Sequence, residues 1–460
     1  MFKRLRIENF KAWNDTGDIK MAPITLFFGS NSSGKSSIGQ LLMMLKQTIE
    51  SPDRKTPLYS GGGPQTAVQL GSYHEMVFQR NVSNNIKFEY DWDLTDELKI
   101  KDPISSQVFL GDLISFSSTI SFNNNQKVIE LTGFKYNIYQ NFVHSFSIGL
   151  DKTTKSDFKT SFEKYNLTRQ KGRAWSIKGA VRFYGFPDEV VAYYQNAAFV
   201  QELNLRHEKL FRSLYYLGPL RNKPSRLYPW SGIEPESVGY TGENTISAIL
   251  AAKNRKIGLG YRKQAKPFEE IIATKLKEMG LIDQFRVTPI SENRQEYEVK
   301  VCSKGSESWV DLPDVGFGIS QVLPVLVECF YAPKDSVILM EQPEIHLHPK
   351  AQAALADVMI DVIRSKENGF DRNIQLIIET HSEHFLRRLQ RRIAEDEIDK
   401  EKVSAYFSDN SLSMPKLTAL QIDSFGNIQN WPDQFFGDDM GDISAQSKAA
   451  LRKRMKQLEV

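Results

Sequence analysis

Residues Gly29 to Ser36 read GSNSSGKS, which fills every fixed position of the spacing G-x-x-x-x-G-K-[ST]. Each residue type in that pattern has its own mechanical task. The glycines let the backbone wrap a phosphate, and successive N–H groups point at its oxygens. Lys35 would neutralise the β/γ charge, and Ser36 would bind Mg²⁺. Upstream, Ile24-Thr25-Leu26-Phe27-Phe28 is an apolar run of strand type. Downstream, Ser37 to Leu45 reads as a helix whose N-terminal dipole would face the anion. This strand–loop–helix context separates the motif from a Gly/Ser-rich turn that matches by chance.

The 460 residues are 40% hydrophobic, enough for two or three domains or for one large domain with an insertion. With 59 basic and 56 acidic residues the net charge is +3, so any basic surface must be local. Cys302 and Cys329 are too few for a disulfide framework or a four-cysteine zinc site and suit a reducing compartment. The N-terminus, MFKRLRIENFKAW, has no apolar signal core, and the apolar stretch Ile319 to Ala332 is broken by Ser320, Gln321, Pro324 and Glu328. A cytoplasmic protein that does not span a membrane is expected.

Leu5, Ile7 and Phe10 lie in an extended pattern before a turn at Asn14 to Gly17, so the chain opens as α/β over residues 1–76. Residues 77–185 change character. Apolar and polar residues alternate there, as in Ile86-Lys87-Phe88-Glu89-Tyr90 and His144-Ser145-Phe146-Ser147-Ile148, which predicts antiparallel strands inserted into or packed beside the α/β part. Residues 151–182 carry nine Lys/Arg against three Asp/Glu, either a solvated loop surface or a basic face. Over 186–400 helical spacing returns, with Phe268, Ile271, Ile272, Leu276 and Met279 on one face, and a strand follows at Gln295 to Val301. A second α/β block then reads as a helix from near Ser320, a strand Ser336–Met340, a helix Pro349–Arg364, a strand Ile374–Ile378 and a helix Glu383–Ala394. Residues 401–460 form a C-terminal extension. There is no internal repeat and no heptad array of coiled-coil length.

The apolar run Ser336 to Met340 ends abruptly in Glu341-Gln342-Pro343-Glu344. A phosphate-loop enzyme needs such a strand to place an acid beside the Mg²⁺ held by Ser36. Ile374 to Ile378 repeats the design and delivers Glu379-Thr380-His381-Ser382 at a strand's C-terminal end, where ligands of open α/β sheets collect.

Taken together, "IENFKAW", the phosphate loop, "DVGFGISQ", "VILMEQPEIHLHP" and "IIETHSEHF" resemble the ABC-type ATPase heads of the RecF, SMC and OLD group. More narrowly the chain resembles small stand-alone bacterial AAA-type ATPases associated with phage defence. The resemblance covers roughly residues 1–75 and 212–385 and touches the tail at "NWPDQFF". It implies an α/β P-loop NTPase of ABC-ATPase-head type, a mixed central sheet with flanking helices, carrying the β-rich segment as an insertion. It also implies that Gly29, Ser30, Asn31, Ser32, Ser33, Gly34, Lys35, Ser36 and Ser37 hold ATP, that Ser36 and Glu341 hold Mg²⁺, and that His381 senses the γ-phosphate. Ser320 falls in the signature segment Gly316–Gln321, which in the family contacts the nucleotide of the opposite subunit, and His348 and Pro349 fall in a loop that crosses the dimer interface. The implied assembly is a head-to-tail homodimer, or a higher oligomer, with ATP at the interface.

One departure bears on mechanism. The residue after the acid is usually a glutamate that polarises water, and here it is Gln342, which orients water but does not take its proton as a carboxylate does. Glu344 is the other candidate for that role, so slow or regulated hydrolysis is expected. Lys11 matches a basic position near the nucleotide in related heads, or is a surface lysine. Arg221, in YYLGPLRNKPSR, is a candidate nucleotide or interface contact, or part of a core-to-surface turn. His346 and His348 read as a Pro-bounded turn or as metal ligands of a nuclease. Arg387, Arg388, Arg391 and Arg392 form either a solvated face or a nucleic-acid or partner surface, and the bland expectation for Glu379 is that it fixes the tautomer of His381 by hydrogen bonding.

The leading expectation is an ATP-dependent switch of a bacterial anti-phage system, working with a separate effector protein, a nuclease or toxin. The alternative is a RecF-like DNA-binding ATPase in repair or recombination. An autonomous nuclease is disfavoured, because only about 75 residues follow His384. Asp438, Asp439 and Asp442 cluster near Phe436 with no strand pattern to place them.

Overall fold

The computed structural model describes residues 1–63, 66–153, 157–172, 176–260, 264–291, 294–303, 305, 308–409, 414–432 and 444–450. The tail cluster of Asp438, Asp439 and Asp442 lies outside these. The apolar runs that bracket the motifs become one six-stranded sheet, ordered Leu214–Leu217, Val337–Glu341, Gln375–Glu379, Ile24–Gly29, Val403–Asp409 and Lys416–Ala419. The first five strands run parallel and the last closes the sheet antiparallel. Near-continuous burial of Ile24–Phe28, Val337–Met340 and Gln375–Glu379 is what a parallel sheet covered on both faces requires. Alternate residues of one strand feed two cores: Val337 and Leu339 enter one, Ile338 and Met340 the other.

The second core is built with the helices Phe268–Glu278, Phe317–Tyr331, Pro349–Ile363 and Glu383–Ala394. The helix expected from near Ser320 starts one turn earlier, at Phe317. The strand expected at Ser336–Met340 is Val337–Glu341, because Glu341 itself pairs with Glu379 in the ladder.

The first core joins the central sheet to the β-rich part. Phe2–Phe10 pairs antiparallel with Ile86–Lys101, and the sheet continues through Val108–Asn123, Val128–Gln140, Val143–Lys152 and Phe158–Glu163. One sheet thus crosses the division expected between residues 76 and 77, and the N-terminal strand belongs to it. In Ile86–Lys101, Ile86, Phe88, Tyr90 and Trp92 turn inward while Lys87, Glu89 and Asp91 face away. The inward face packs on the helices Lys35–Glu50 and Phe199–Arg212. Gln375 ties the two sheets: its amide accepts from Phe2 N–H at 2.9 Å and donates to the Phe2 and Ala22 carbonyls. Among the described residues the longest helix has 16 residues, too short for a coiled-coil arm, and no helix is long and apolar enough to cross a membrane.

Candidate functional site

The loop after Ile24–Gly29 needs its two glycines where they stand. At Gly29, φ is +140° and a Cβ would meet the Ser408 carbonyl at 2.2 Å; at Gly34, φ is +95° and a Cβ would meet Ala12 Cβ at 2.8 Å. Trp13 Nε1 donates to the Gly34 carbonyl at 3.0 Å and fixes the loop from the N-terminal side. Helix Lys35–Glu50 then begins with no side chain capping it, so its first N–H groups are left to the loop.

These N–H groups border a cavity of about 300 Å³ lined by Lys11, Ala12, Asn31, Ser32, Ser33, Gly34, Lys35, Ser36, Ser37, Gln40, Gln342, Glu379 and His381. Lys35 Nζ donates to the carbonyls of Gly29 at 3.0 Å and Ser30 at 2.6 Å. Burial lowers the Lys35 ammonium pKa, and the Glu379 charge opposes that shift. Lys11, held by its own N–H donating to the Met76 carbonyl at 2.6 Å, is likewise lowered by burial. His381 is lowered by burial and then by the Lys35 charge, which favours the neutral ring.

The carboxylates are arranged differently from expectation. Ser36 Oγ donates to Glu379 Oε1 at 3.0 Å, whereas Glu341 Oε1 accepts from the Tyr216 hydroxyl at 2.8 Å. Strand order is the reason: Gln375–Glu379 lies between Val337–Glu341 and the phosphate-loop strand, so the acid that meets Ser36 is Glu379. Burial, reinforced by the Glu379 charge, raises Glu341 to about 7. Glu379 is raised by burial against the Ser36 bond and the Lys35 charge.

Gln342 lines the cavity in a left-handed conformation, φ +46°, its N–H donating to the Glu379 carbonyl at 2.8 Å. Glu344 stands behind the wall. Its Oε1 accepts from the His381 N–H at 2.8 Å, and burial raises its pKa. Ser320 is not brought to its own chain's phosphate loop; its hydroxyl donates to the Phe317 carbonyl at 2.8 Å, and it borders a separate cavity with Asn222, Lys223 and Leu323. Arg221 is 7% exposed, and its Nη1 and Nη2 donate to backbone carbonyls, so it is buried behind the site and is not an exposed contact.

His346 packs edge-on against Phe317 with ring centroids 5.0 Å apart, and His348 Nδ1 accepts from Lys350 N–H at the start of Pro349–Ile363. Among the described residues no group of three or more His, Cys, Asp or Glu is placed to hold a metal. A site supplying one or two oxygens is what Mg²⁺ uses beside phosphates and water. Arg387, Arg388, Arg391 and Arg392 each bond a carboxylate, of Glu383, Asp357, Glu395 and Asp357 respectively, so that face carries little unbalanced charge.

Three site residues escaped the sequence reading in this capacity: Gln40, Glu379 as the partner of Ser36, and Tyr216. For Gln40 the signal was present, since it lies four residues after Ser36 on one helix face. For the other two, only the pairing of distant strands supplies it. The donor set fits a magnesium nucleotide: uncapped helical N–H groups, a buried Ser33 Oγ with no partner, a lysine, and a hydroxyl beside a carboxylate.

A family model described as "AAA domain, putative AbiEii toxin, Type IV TA system" matches residues 24–387, which hold the loop, the cavity and His381. A second, "Protein of unknown function (DUF3696)", matches residues 398–446. No curated protein matches the chain. Among solved structures the chain is similar to the SMC head domain from Thermotoga maritima, at 9% identity and TM-score 0.39, covering 92% of this chain and 99% of that one. It is also similar to an SMC head bound to the C-winged helix domain of ScpA, at 11% identity and TM-score 0.42, covering 92% and 98%. The sequence match over residues 24–387, and not these distant similarities, sets the family.

Proposed function

The chain belongs to this AAA-domain family and is a P-loop ATPase, and from that premise we propose that it is a slow, dimeric ATP switch governing a separate effector in the cytoplasm. ATP with Mg²⁺ supplies the phosphoanhydride whose cleavage resets the switch. The chain's own residues do the rest. The loop N–H groups and Lys35 bind phosphate, Ser36 and Glu379 supply the oxygens for the metal with Glu341 in reserve behind Tyr216, and His381 faces the same cavity as a neutral ring. Gln342 orients water without accepting its proton, so turnover is slow. Glu344 positions His381 through the backbone.

The observation that carries the reading is the placement of Gln342, rather than Glu344, on the cavity wall. The family description, with its toxin–antitoxin wording, supports a partner protein and a defensive role. The dimer is supported by the resemblance at Ser320, which lies away from its own chain's loop.

The test is turnover and assembly of two variants. Gln342→Glu supplies the missing base and raises kcat about tenfold, while Glu344→Gln keeps its acceptor oxygen and leaves kcat within about twofold. An unchanged rate in Gln342→Glu, with Mg²⁺·ATP still bound, removes Gln342 from the water site. Sedimentation showing a monomer with and without ATP would end the dimer reading, and salt-sensitive DNA binding that requires ATP would favour repair over defence.

A further inference from the structure

Arg221 is a buried charge outside the phosphate-loop cavity. At 7% exposure it bonds no carboxylate: Nη1 donates to the Gln321 carbonyl at 3.2 Å, and Nη2 to the carbonyls of Glu341 at 3.1 Å and Gln342 at 3.3 Å. Burying a guanidinium without a directly bonded counter-charge is costly and persists where geometry needs the fork. Here the fork joins two elements. Gln321 is in the first turns of Phe317–Tyr331, and Glu341 and Gln342 form the end of Val337–Glu341 and the turn after it.

The same two elements touch at two further points. A Cβ on Gly318 would come 3.0 Å from the His346 carbonyl, and Phe317 packs edge-on against the His346 ring. Both Gln342 and His346 are left-handed, at φ +46° and +63°. Strained non-glycine residues persist only where their surroundings over-determine them, and Arg221 bonds the carbonyls on either side of the Gln342 N–Cα unit. Polar atoms are left open in this wedge as well: Arg221 Nε and Gln321 Nε2 are buried without partners. Glu344 is the opposing charge that Arg221 feels, and burial still brings Arg221 down to about 10.

We infer that Arg221 is a positioning residue: its fork holds the left-handed turn at Gln342 and locks that turn to the N-terminal end of helix Phe317–Tyr331, so that displacing the helix resets Gln342 at the chain's own phosphate loop. The inference rests on the ATPase reading above and names the internal route by which a molecule docking on that helix end changes hydrolysis. Spare donors on Arg221 Nε and Gln321 Nε2 give the wedge further bonds to make when the helix moves.

Arg221→Gln and Arg221→Lys test this, with Kd for Mg²⁺·ATP, kcat, and amide hydrogen exchange of peptides covering 317–322 and 341–347. The expected result for both variants is a kcat at least tenfold lower with Kd within threefold, and faster exchange confined to those two peptides. The lysine variant keeps the charge and loses the fork, so it gives no rescue and also serves if the glutamine variant folds poorly. An unchanged kcat, full rescue by lysine, or a parallel fall of binding, rate and global exchange protection overturns the inference. Should the wild type bind ATP without turning it over, the ATPase reading fails, and the exchange arm still decides: local loosening supports the fork, and unaltered exchange overturns it.

Discussion

His207, on the helix Phe199–Arg212 that packs against the β-rich sheet, and Glu379 at the phosphate-loop cavity are both buried titratable groups, at 0% and 7% exposure, and their surroundings differ in kind. His207 has every polar atom answered: Nε2 meets the Tyr90 hydroxyl at 2.7 Å and Nδ1 the Tyr136 hydroxyl at 2.9 Å. Because Tyr136 donates its proton to the Tyr184 carbonyl, it accepts from Nδ1–H, and Tyr90 donates to Nε2. The ring is therefore neutral, and burial drives its pKa well down. Around Glu379 the bookkeeping stays open. Glu341 lies directly across the ladder as a second carboxyl group, Ser33 Oγ has no partner, and Ser32 and Gln342 are left-handed. Equal burial thus separates into a finished structural network and an unfinished one that a ligand completes.

The largest effect that tests this contrast is on stability. His207→Ala opens a cavity and leaves the Tyr90 hydroxyl without its partner, while Tyr136 keeps its bond to the Tyr184 carbonyl, and the loss costs about 4 kcal/mol. Urea unfolding reads that loss, while Kd for Mg²⁺·ATP in native buffer stays within about threefold. A change in Kd as large as the change in stability would break the separation of the two regions.

Lys35→Ala reverses the pattern. It removes the charge aimed at the phosphates and lowers kcat/KM by about 10²-fold or more, about 3 kcal/mol. The urea midpoint holds or rises, because a buried ammonium has been removed. A clear drop in the midpoint would place Lys35 among the structural groups.

The smallest effect is the pH slope, at most about 1.4 kcal/mol per pH unit for each proton. Glu341 keeps its proton up to about 7 when folded against 4.5 as its ordinary value, so its contribution is full below 4.5 and is lost as pH rises through 7. His207 has the opposite sign: folded it stays neutral and unfolded it protonates below 6.5, so its contribution is lost as pH falls under 6.5. Urea midpoints from pH 4.5 to 8 check this. Glu341→Gln flattens the fall toward high pH, and His207→Gln flattens the fall toward low pH; one variant flattening both arms would show that the regions titrate together.

By itself the sequence determined the strand–loop–helix unit at Gly29–Ser36, the existence of the two later apolar strands, and the helix Glu383–Ala394 to the residue. These rest on local rules, apolar runs and glycine conformations, and the structure adds a cap on the last helix, with Ser382 Oγ accepting from Phe385 N–H at 3.0 Å. It also located Gln342 and His381 as candidates before any cavity existed around them. The tertiary structure alone decided that Phe2–Phe10 opens the β-rich sheet, that Glu379 and not Glu341 meets Ser36, and that Arg221 is an internal clamp. Each of these depends on which distant strands become neighbours and in what register, and one residue of slip or one exchange of strand order would give the same local elements a different site.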